Sequence, residues 1–566
     1  MSRVLMLGLD GATFDLIGPW AREGKLPALA RLMAEGTHRE LASVVPPMSF
    51  PAWSTVLTGR NPGKHGIYDF TQRRPDSYGA QFINARWRKA DTVARTLSAA
   101  GRRVALLSVP LTWPAEPVNG VMISGFDAPG IGGLADKSAI YPPDLEQRFG
   151  EVVRSYPISA TLEALSGEAL VAALVDTMKR RAAAALAIYR SEPWDFFMLV
   201  LGETDAVAHT FWSAFDPRSP LRDAASGSPA LQAAIETVYR TADAIIGDFL
   251  AALHSDTTVL VMSDHGHGGN GDKGIHLSRW LEKQGWLGFR SDTGGAGLLR
   301  SAGRRFVNTS KTLGVRLTPL ALRKLVIRKT GIAGRMESWL RFSHVDWART
   351  RVFSEESSYP SLSVNLRGRE PMGIVEPGAE YEALLRDVIS RMLEWKDPWT
   401  GRRICKAIHR REEIYHGPYT DQAPDLTIEW ELDEGWSYVN RRSAEPGEPM
   451  ARIAPEERRR VKSGHHRQDG ILLAWGRHVR PGAAIDRPGL ADLAPTVLAL
   501  IGEAVPPDMD GRVLAEMLEA EVAPARPGIP AQAGAEWKEP APGEADYSGE
   551  EEEVIRARLK ALGYIE

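Results

Sequence analysis

The sequence contains a single cysteine, Cys405, among its 566 residues. It can therefore form no internal disulfide bond, and this fits a reducing compartment. Long apolar runs are also missing, since no stretch approaches the roughly 20 residues that a membrane-spanning helix needs. The apolar stretch at the amino terminus is interrupted by Asp10 too early to be typical of a secretion signal. It also lacks a small-residue cleavage site. We therefore expect a soluble, cytoplasmic protein.

An excess of charge of either sign is missing too. The 69 Lys and Arg residues nearly balance the 72 Asp and Glu residues, which leaves a net charge of -3. Overall charge thus gives no reason to expect a nucleic-acid duplex as a partner. The content of 43% hydrophobic and 25% charged residues is ordinary for a globular protein. It excludes collagen-like, coiled-coil and wholly disordered chains.

Short apolar runs rich in Val, Leu and Ile alternate with longer helical patterns along the chain. This alternation is typical of an α/β fold with a mostly parallel central sheet sandwiched by helices. The best strand candidates are residues 4–9, 104–109, 196–201, 259–262 and 471–475. The main helical patterns cover residues 26–35, 52–57, 165–188 and 233–253.

Residues 290–345 differ in composition from the core segments on either side, 1–289 and 346–520. Between positions 290 and 341 the chain has twelve Lys or Arg residues but only two acidic residues, Asp292 and Glu337. The pattern predicts a basic helical insertion that forms a lid. Its basic face either is simply solvated or contacts anionic substrates or anionic lipid headgroups.

The carboxyl-terminal part has two further segments. Residues 521–549 are rich in Pro, Ala, Gly and Glu, and this composition predicts a disordered linker. Residues 550–566 form a helical pattern with Ile555, Leu559 and Leu562 on one face. We expect this helix to dock on this chain or on another.

Acidic residues and histidines recur where the predicted strands end. Asp10 follows the first strand, Asp205 and His209 follow strand 196–201, and Asp264 and His265 follow strand 259–262. A lone aspartate at such a turn is more often a helix cap. However, parallel strands gather their carboxyl ends along one edge of the sheet, where open α/β folds place their sites. The joint pattern therefore predicts one site.

Two more elements belong to the same pattern. Pro51 is expected at a first helical position, which makes Ser49 or Phe50 the amino cap. A serine there faces unpaired backbone amides and the positive end of the helix dipole, which favour an alkoxide or a bound phosphate. An ordinary capping serine fits equally well. His465 and His466 precede the strand at 471–475.

The candidate donors, three His, three Asp and one Ser, can supply two divalent cations. Structural zinc sites usually have four protein ligands and use cysteine heavily. Because the chain has one cysteine, these oxygen and nitrogen donors indicate catalytic metals with open coordination positions.

At this point the chain resembles the alkaline phosphatase superfamily, and most closely its type I phosphodiesterase and nucleotide pyrophosphatase branch, from Met1 to about Leu514. The matching positions are Asp10, the run Ser49, Phe50 and Pro51 with Thr58 and Gly59, the run His65, Gly66 and Ile67, the pair Asp205 and His209, the run Asp264, His265 and Gly266, and His466. Five elements match in the right order.

The resemblance implies a two-metal site and a phosphoserine intermediate. One metal would be held by Asp205, His209 and His466. The other would be held by Asp10, Asp264, His265 and the oxygen of Ser49, the nucleophile. His466 fits the pattern better than His465 does. Zinc suits the number of histidines, although such shells also accept manganese or iron.

The chain departs from the pattern of this family at one position. Nucleotide pyrophosphatases usually carry Asn after the Phe-Pro pair, where this chain has Ala52. We expect substrate-binding groups among residues near the matched motifs or in later polar loops: Phe50, Lys273, His276, Arg367 and Arg369. His65 and Lys64 are interpreted as structural, behind the nucleophile helix.

The expected activity is metal-dependent hydrolysis of small phosphate esters, with diesters preferred. A phosphomutase acting on sugar phosphates would use related chemistry. A phospholipid-headgroup transferase would suit the basic insertion but usually carries membrane spans. A binding protein on an inactive phosphatase scaffold is the alternative from another class, and the presence of every expected ligand argues against it.

Overall fold

The computed structural model describes residues 3–74, 77–129, 137–158, 165–223, 227–290, 342–355, 359–520, 522 and 546–562. The strands are β1 Arg3–Leu9, β2 Thr37–Ala42, β3 Thr71–Arg73, β4 Ala80–Phe82, β5 Val104–Val109, β6 Gly120–Ser124, β7 Ile140–Tyr141, β8 Phe196–Leu201, β9 Thr257–Met262, β10 Gly266–Ile275, β11 Val352–Ser354, β12 Ser361–Val364, β13 Cys405–Arg410, β14 Leu426–Trp430, β15 Ser437–Asn440, β16 Met450–Arg452, β17 Gly464–Arg467 and β18 Asp469–Gly476.

The helices are α1 Phe14–Arg22, α2 Pro27–Glu35, α3 Ser49–Thr58, α4 Pro62–His65, α5 Val93–Ala99, α6 Leu145–Phe149, α7 Glu151–Arg154, α8 Gly167–Ser191, α9 Glu203–Phe215, α10 Pro229–Gln232, α11 Ala234–Ala251, α12 Leu277–Lys283, α13 Ala379–Glu394, α14 Arg411–Ile414, α15 Leu493–Ile501 and α16 Gly549–Leu562. Within the described ranges, each of these helices is too short or too polar to cross a bilayer.

The main sheet has the strand order β2-β18-β9-β1-β8-β5-β6-β7. Its central five strands, β9 to β6, are parallel, whereas β18 is antiparallel to both of its neighbours and β7 is antiparallel to β6. The mostly parallel sheet predicted from the sequence is therefore confirmed. The strand predicted at 471–475 is present as β18, but it is antiparallel to the four other predicted strands.

Helices cover both faces of this sheet because each central strand is apolar on both sides. Along β1, Leu5 and Leu7 point into one core with helices α1, α2, α8, α9 and α11. The alternate residues Val4 and Met6 point into a second core with α3, α5 and α15. A strand buried on both faces has no polar alternation, which explains why it appears in the sequence as a continuous apolar run.

Smaller sheets adjoin the main one. Strands β11, β12, β14 and β13 form an antiparallel sheet, which packs with α13 around a third core. Strand β10 pairs with β15, β16 and β17. This strand is important for the site because it directly follows the end of β9.

The predicted basic insertion lies largely outside the described residues, since positions 291–341 are not described. Its two flanks are adjacent: the N–H of Arg290 donates to the carbonyl of His344 at 2.8 Å. The chain thus leaves and rejoins the core at one place. Most of the predicted linker, 521 and 523–545, also lies outside the described residues, so both segments stay predictions.

The carboxyl-terminal helix α16 packs on this same chain and buries Ile555 and Leu559. Just before it, the ring of Tyr547 stacks on Trp113 with the centroids 4.8 Å apart. Arg558 donates to the carbonyl of Phe126 at 2.6 Å. These contacts place α16 and the residues just before it against the loop that follows β6.

Candidate active site

The carboxyl ends of three neighbouring strands meet at the middle of the main sheet. Strand β1 lies between β8 and β9 and is parallel to both. Asp10 follows β1, Asp205 lies in the first turn of α9 just after β8, and Asp264 follows β9. All three side chains are fully buried. The topology thus gathers three carboxylates that are far apart in the sequence.

Gly11 makes this close approach possible. Its backbone has a φ of 66°, and a Cβ atom there would lie 2.8 Å from Oδ1 of Asp205. Its N–H donates to Oδ1 of Asp264 at 3.3 Å. A residue with a side chain would be strained in this conformation and would displace Asp205. The Asp10-Gly11 pair after the first strand is therefore part of the construction of the site.

One group of donors, called here the Asp205 cluster, consists of Asp205, His209, His267 and His466. Oδ2 of Asp205 lies 3.3 Å from Nε2 of His209. Oδ1 of Asp205 lies 3.3 Å from Nε2 of His466 and 3.3 Å from Nε2 of His267. Nε2 of His209 and Nε2 of His466 are 2.8 Å apart. These four donors surround one small space.

A second group, called here the Asp10 cluster, consists of Asp10, Asp264 and His265. Nε2 of His265 lies 3.5 Å from Oδ1 of Asp10 and 3.3 Å from Oδ2 of Asp264. The same nitrogen lies 3.4 Å from Oγ of Ser49. The two clusters are in contact, because the rings of His265 and His466 stack with centroids 3.7 Å apart.

Backbone carbonyl groups orient three of these imidazoles. Nδ1 of His209 lies 2.9 Å from the carbonyl of Gly464, Nδ1 of His466 lies 2.8 Å from that of Pro47, and Nδ1 of His265 lies 3.0 Å from that of Gly266. Because a carbonyl only accepts, each Nδ1 carries the proton and each Nε2 presents a lone pair to its cluster. Metal-binding histidines are typically held in this way.

Burial and charge perturb the acidic groups strongly. Burial and the carboxylates of Asp264 and Asp205 raise the pKa of Asp10 well above its usual range. Burial, followed by the charge of Asp205, raises the pKa of Asp264 to about 7. Burial would also raise the pKa of Asp205, but His209 and His466 outweigh it and hold that pKa well below its usual range.

Four carboxylate oxygens in the clusters accept no hydrogen bond from any residue in the described ranges: Oδ1 of Asp10, both oxygens of Asp205 and Oδ2 of Asp264. Buried acceptors without partners are costly and rare in folded proteins. Carboxylate oxygens and neutral imidazole nitrogens are ligands for zinc, manganese and iron. The residues of both clusters therefore fit divalent cations.

Ser49 is the first residue of α3, and Met48 is its cap. The predicted amino cap, Ser49 or Phe50, is thus wrong by one or two residues. Pro51 falls within the first turn, where a helix tolerates proline because the N–H groups have no acceptor inside the helix. The functional consequence is unchanged, since Oγ of Ser49 still lies at the positive end of the helix dipole.

A cavity of about 300 Å³ is lined in part by Met48, which precedes Ser49 in the chain, and by Tyr359, Arg73 and Glu370. The ring of Tyr359 lies 6.0 Å from that of His466, so this wall adjoins the Asp205 cluster. Arg73 bridges Glu370 at 2.5 Å and a second acid of the wall, Glu355, at 3.2 Å. The cavity therefore has a polar wall, and Tyr359 places it next to the Asp205 cluster.

The residues expected to bind substrate lie in different places. Phe50 packs against Phe70, with the ring centroids 4.5 Å apart, and Arg369 lines the cavity while pairing with Asp425. Lys273 lies between Asp397 and Asp433 at 2.7 Å from each, His276 contacts Ser443, and Arg367 pairs with Glu376. The contacts of these last three are made outside the two clusters. His465 stacks on Tyr359.

His267 is the donor that the sequence analysis missed. It belongs to β10, whose sequence GHGGNGDKGI is too rich in glycine to be recognised as a strand. The available signal was the spacing of His265 and His267, since residues two apart on an extended chain lie on one side.

Comparisons with known proteins identify relatives of this chain. Residues 4–466 match the sequence model of the family described as Type I phosphodiesterase / nucleotide pyrophosphatase. The human ectonucleotide pyrophosphatase/phosphodiesterase family member 1 is 23% identical over 291 residues, which cover 49% of this chain and 25% of that protein. The chain thus spans about a quarter of the length of that curated relative.

Two solved structures are similar over most of the chain. Phosphonoacetate hydrolase from Sinorhizobium meliloti 1021, in complex with phosphonoformate, is 15% identical with a TM-score of 0.49, covering 88% of this chain and 96% of that one. Human ectonucleotide pyrophosphatase/phosphodiesterase 5 is 14% identical with a TM-score of 0.48, covering 92% and 100%. Because the family match extends over most of the sequence, this chain belongs to the type I phosphodiesterase/nucleotide pyrophosphatase family, within the alkaline phosphatase superfamily.

Proposed function

We propose that this chain is a metal-dependent hydrolase of small phosphate esters, that it prefers diesters, and that Ser49 is its nucleophile. The observation that carries the proposal is the position of Oγ of Ser49, 3.4 Å from Nε2 of His265 in the Asp10 cluster. Family membership supports the reaction class.

The two clusters fit two cations. Asp10, Asp264, His265 and the Ser49 oxygen would hold one, and Asp205, His209 and His466 would hold the other. Bound divalent cations supply positive charge that polarises a phosphoryl group and helps to deprotonate a hydroxyl. Zinc is the metal that we favour, because imidazole nitrogens are numerous among the donors, although manganese and iron accept such sites.

The protein residues then carry out a double displacement. Oγ of Ser49 attacks phosphorus, an Oγ–P bond forms, and the bond from phosphorus to the leaving alkoxide breaks. Water attacks the resulting phosphoserine and restores the Ser49 hydroxyl. The sum is one ester and one water converted into one alcohol and one phosphate product.

Ser49 is well placed and firmly held for this role. Its N–H and that of Phe50 lie in the first turn of α3, where backbone amides and the helix dipole favour a phosphoryl anion. The ring of Phe50 packs between Phe70 and Phe126, with centroids 4.5 Å and 5.7 Å away. This packing fixes the first turn and with it the direction of the nucleophile.

The cavity lined by Met48 and Tyr359 supports a diester substrate. Its volume of about 300 Å³ gives room for a second substituent on phosphorus, at the small end of the range for ligand pockets. Its wall carries ion pairs such as Arg73 with Glu370. We infer that the second substituent is polar, since an apolar group would remove these charged groups from water without replacing their hydrogen bonds.

The test uses Ser49→Ala, with Ser54→Ala as the control. Ser54 is a buried serine on the same helix and is not among the donors of the Asp10 cluster. We expect Ser49→Ala to keep its metal content and to lose hydrolysis of bis-p-nitrophenyl phosphate by at least about a thousandfold. Metal content is measured by mass spectrometry of the native protein, and Ser54→Ala should retain turnover.

Acid quenching during turnover should also trap a phosphoryl group on the peptide that contains Ser49. Substantial residual hydrolysis by Ser49→Ala, or phosphorylation of another residue, would reject Ser49 as the nucleophile. Adding Zn²⁺ or Mn²⁺ back to metal-stripped protein, with a panel of monoesters and diesters, identifies the metal and the preferred substrate class.

A further inference from the structure

The Asp205 cluster contains one more donor than the family resemblance implies. His267 is fully buried there, and its ring meets that of His209 edge to face, with centroids 4.6 Å apart. Its Nε2 lies 3.3 Å from Oδ1 of Asp205. The cluster therefore presents three imidazoles and one carboxylate to the same space.

Strand pairing explains why His267 and His466 lie in the same cluster. Strands β10 and β17 are antiparallel, and their register places His267 directly opposite His466. Residues opposite each other in such a pair project from the same face, with Cβ atoms about 4.5–5.5 Å apart. The two imidazoles are thus brought to one cluster by the register alone.

The surroundings of His267 hold its ring in this position. A Cβ atom at Gly464 would lie 2.6 Å from Cε1 of His267, so glycine at that position leaves room for the ring. The indole of Trp212 stacks on the imidazole, with centroids 5.6 Å apart and an angle of 20° between the planes. The side chain has little freedom to turn away.

Hydrogen bonding does not explain the presence of this histidine. Neither ring nitrogen of His267 forms a hydrogen bond to any residue that the structure describes. Leaving a buried polar group without a partner typically costs about 1–3 kcal/mol. A residue retained only for packing would do better as an apolar side chain, whereas a bound cation gives Nε2 a partner.

Two donor distances in the cluster equal the edge of a small tetrahedral site. Oδ1 of Asp205 lies 3.3 Å from Nε2 of His267 and 3.3 Å from Nε2 of His466, whereas Nε2 of His209 lies 3.3 Å from Oδ2 of Asp205 and 2.8 Å from Nε2 of His466. A tetrahedron with zinc–ligand distances of about 2.0–2.1 Å has edges of about 3.3–3.4 Å. We propose that His267 is the fourth protein ligand of the cation in the Asp205 cluster, an inference that rests on the metal dependence in the proposed function.

This assignment divides the two cation sites by role. Four protein ligands close the site at Asp205, as in structural zinc sites, whereas the Asp10 cluster supplies three ligands besides Ser49. A cation held at Asp205 would supply positive charge beside the reacting group, and a cation held in the Asp10 cluster would contact the Ser49 oxygen.

The experiment measures Zn²⁺ affinity of the full-length, metal-stripped protein by competition with a chromogenic chelator. Wild type should bind two Zn²⁺ ions. In His267→Ala the affinity of one site should fall by about 100-fold or more, because the loss of a direct ligand should exceed the 10–100-fold effect of losing a group that only supports one. The control is His465→Ala, which removes a neighbouring imidazole outside the cluster and should bind both ions like wild type.

Cobalt provides a readout that packing alone would not change. The visible spectrum of Co²⁺ reports its coordination, so the spectrum of one of the two bound ions should change in His267→Ala and stay the same in His465→Ala. Melting of the metal-free proteins checks the fold. Without metal, His267→Ala should lose at most the part of the free energy of unfolding that packing of the ring contributes. The reason is that the variant also removes two buried nitrogens that have no hydrogen-bond partner among the described residues.

Two results would overturn the inference. One is unchanged affinity at both sites in His267→Ala, and the other is an equal loss of affinity in His465→Ala. Wild type that binds no cation would contradict the proposed function as well. Wild type that binds two ions and hydrolyses the diester, with His267→Ala matching it in affinity, would contradict this inference alone.

Discussion

His65 shows how one buried imidazole makes stability depend on pH. Its Nδ1 accepts the N–H of Ile67 at 3.2 Å, and its Nε2 lies 3.0 Å from Oγ of Thr55. Burial, followed by the charge of Arg88, lowers the pKa of His65 to about 3. These contacts join the loop after α4 to α3, the helix that begins at Ser49, and support the interpretation of His65 as structural.

The sign of the pH effect follows from that shift. Below pH 6.5 the unfolded chain takes up a proton at His65 and the folded protein does not until about pH 3, so stability falls as the pH drops through this window. At pH 5 this one group should cost about 2 kcal/mol. In His65→Asn the amide oxygen can still accept the N–H of Ile67. Urea unfolding should show that this variant loses less free energy of unfolding between pH 7.5 and pH 5.0 than wild type does. Equal losses in both proteins would contradict this account.

Among the elements, the carboxyl-terminal helix α16 is joined to the candidate active site by a short chain of contacts. Arg558 holds the carbonyl groups of Phe126 and Ala128, and Tyr547 donates to the carbonyl of Asp127 at 2.8 Å. The ring of Phe126 stacks on Phe50, next to Ser49. The helix therefore fixes a loop that supports the first turn of α3.

Replacing Arg558 tests this docking. Hydrogen bonds from a buried charged group contribute about 1.5–3 kcal/mol, so Arg558→Ala should destabilise the protein by at least that amount. Lys560→Ala, an exposed change on the same helix, should stay within about 0.5 kcal/mol of wild type. Denaturant unfolding measures both, and equal stability of the two variants would show that α16 is not anchored through Arg558.

The sequence predicts some strands better than others. Strands β5 and β8 match their predicted bounds, 104–109 and 196–201, because strands buried on both faces are apolar throughout. Strand β10 was missed because its glycines are selected by close packing, such as Gly269 against Trp436, and carry no apolar signal. The direction of β18 is also absent from its sequence, since an apolar run looks the same in either orientation.

At the scale of the whole molecule, the clusters concentrate three buried carboxylates at the centre of the main sheet. Their mutual repulsion and missing hydrogen bonds oppose folding, and divalent cations remove both costs. Binding at 1,000 times the dissociation constant stabilises a folded protein by about 4 kcal/mol per site. The cations are therefore expected to stabilise the fold as well as to take part in the reaction.

Removal of metal measures this contribution. The chelator-treated protein should unfold at a lower temperature, and added Zn²⁺ should raise the midpoint progressively with its free concentration. Asp205→Asn should reduce the gain, because it removes a charged ligand from one cluster. A midpoint that does not depend on metal would contradict a stabilising role for the clusters.

Much of the site could be predicted because its parts follow local rules that a sequence displays. Asp10, Asp205 and Asp264 each follow an apolar strand, and parallel strands end together. Long-range pairing could not be predicted in the same way. Lys273 was expected near substrate, but it lies between Asp397 and Asp433, which are more than 120 residues away in the sequence. Nothing in the residues around Lys273 indicates these partners.

The order of strands in the main sheet has a consequence for synthesis of the chain. Strand β18 separates β9 from β2, so both stay open edges until residues 469–476 have left the ribosome. About 200 residues separate the end of β9 from β18, and at roughly 5–20 residues per second their translation takes about 10–40 s. His466 arrives only three residues ahead of β18. Closure of the sheet and completion of the Asp205 cluster are thus one late event, and the nascent chain must be protected from aggregation until then.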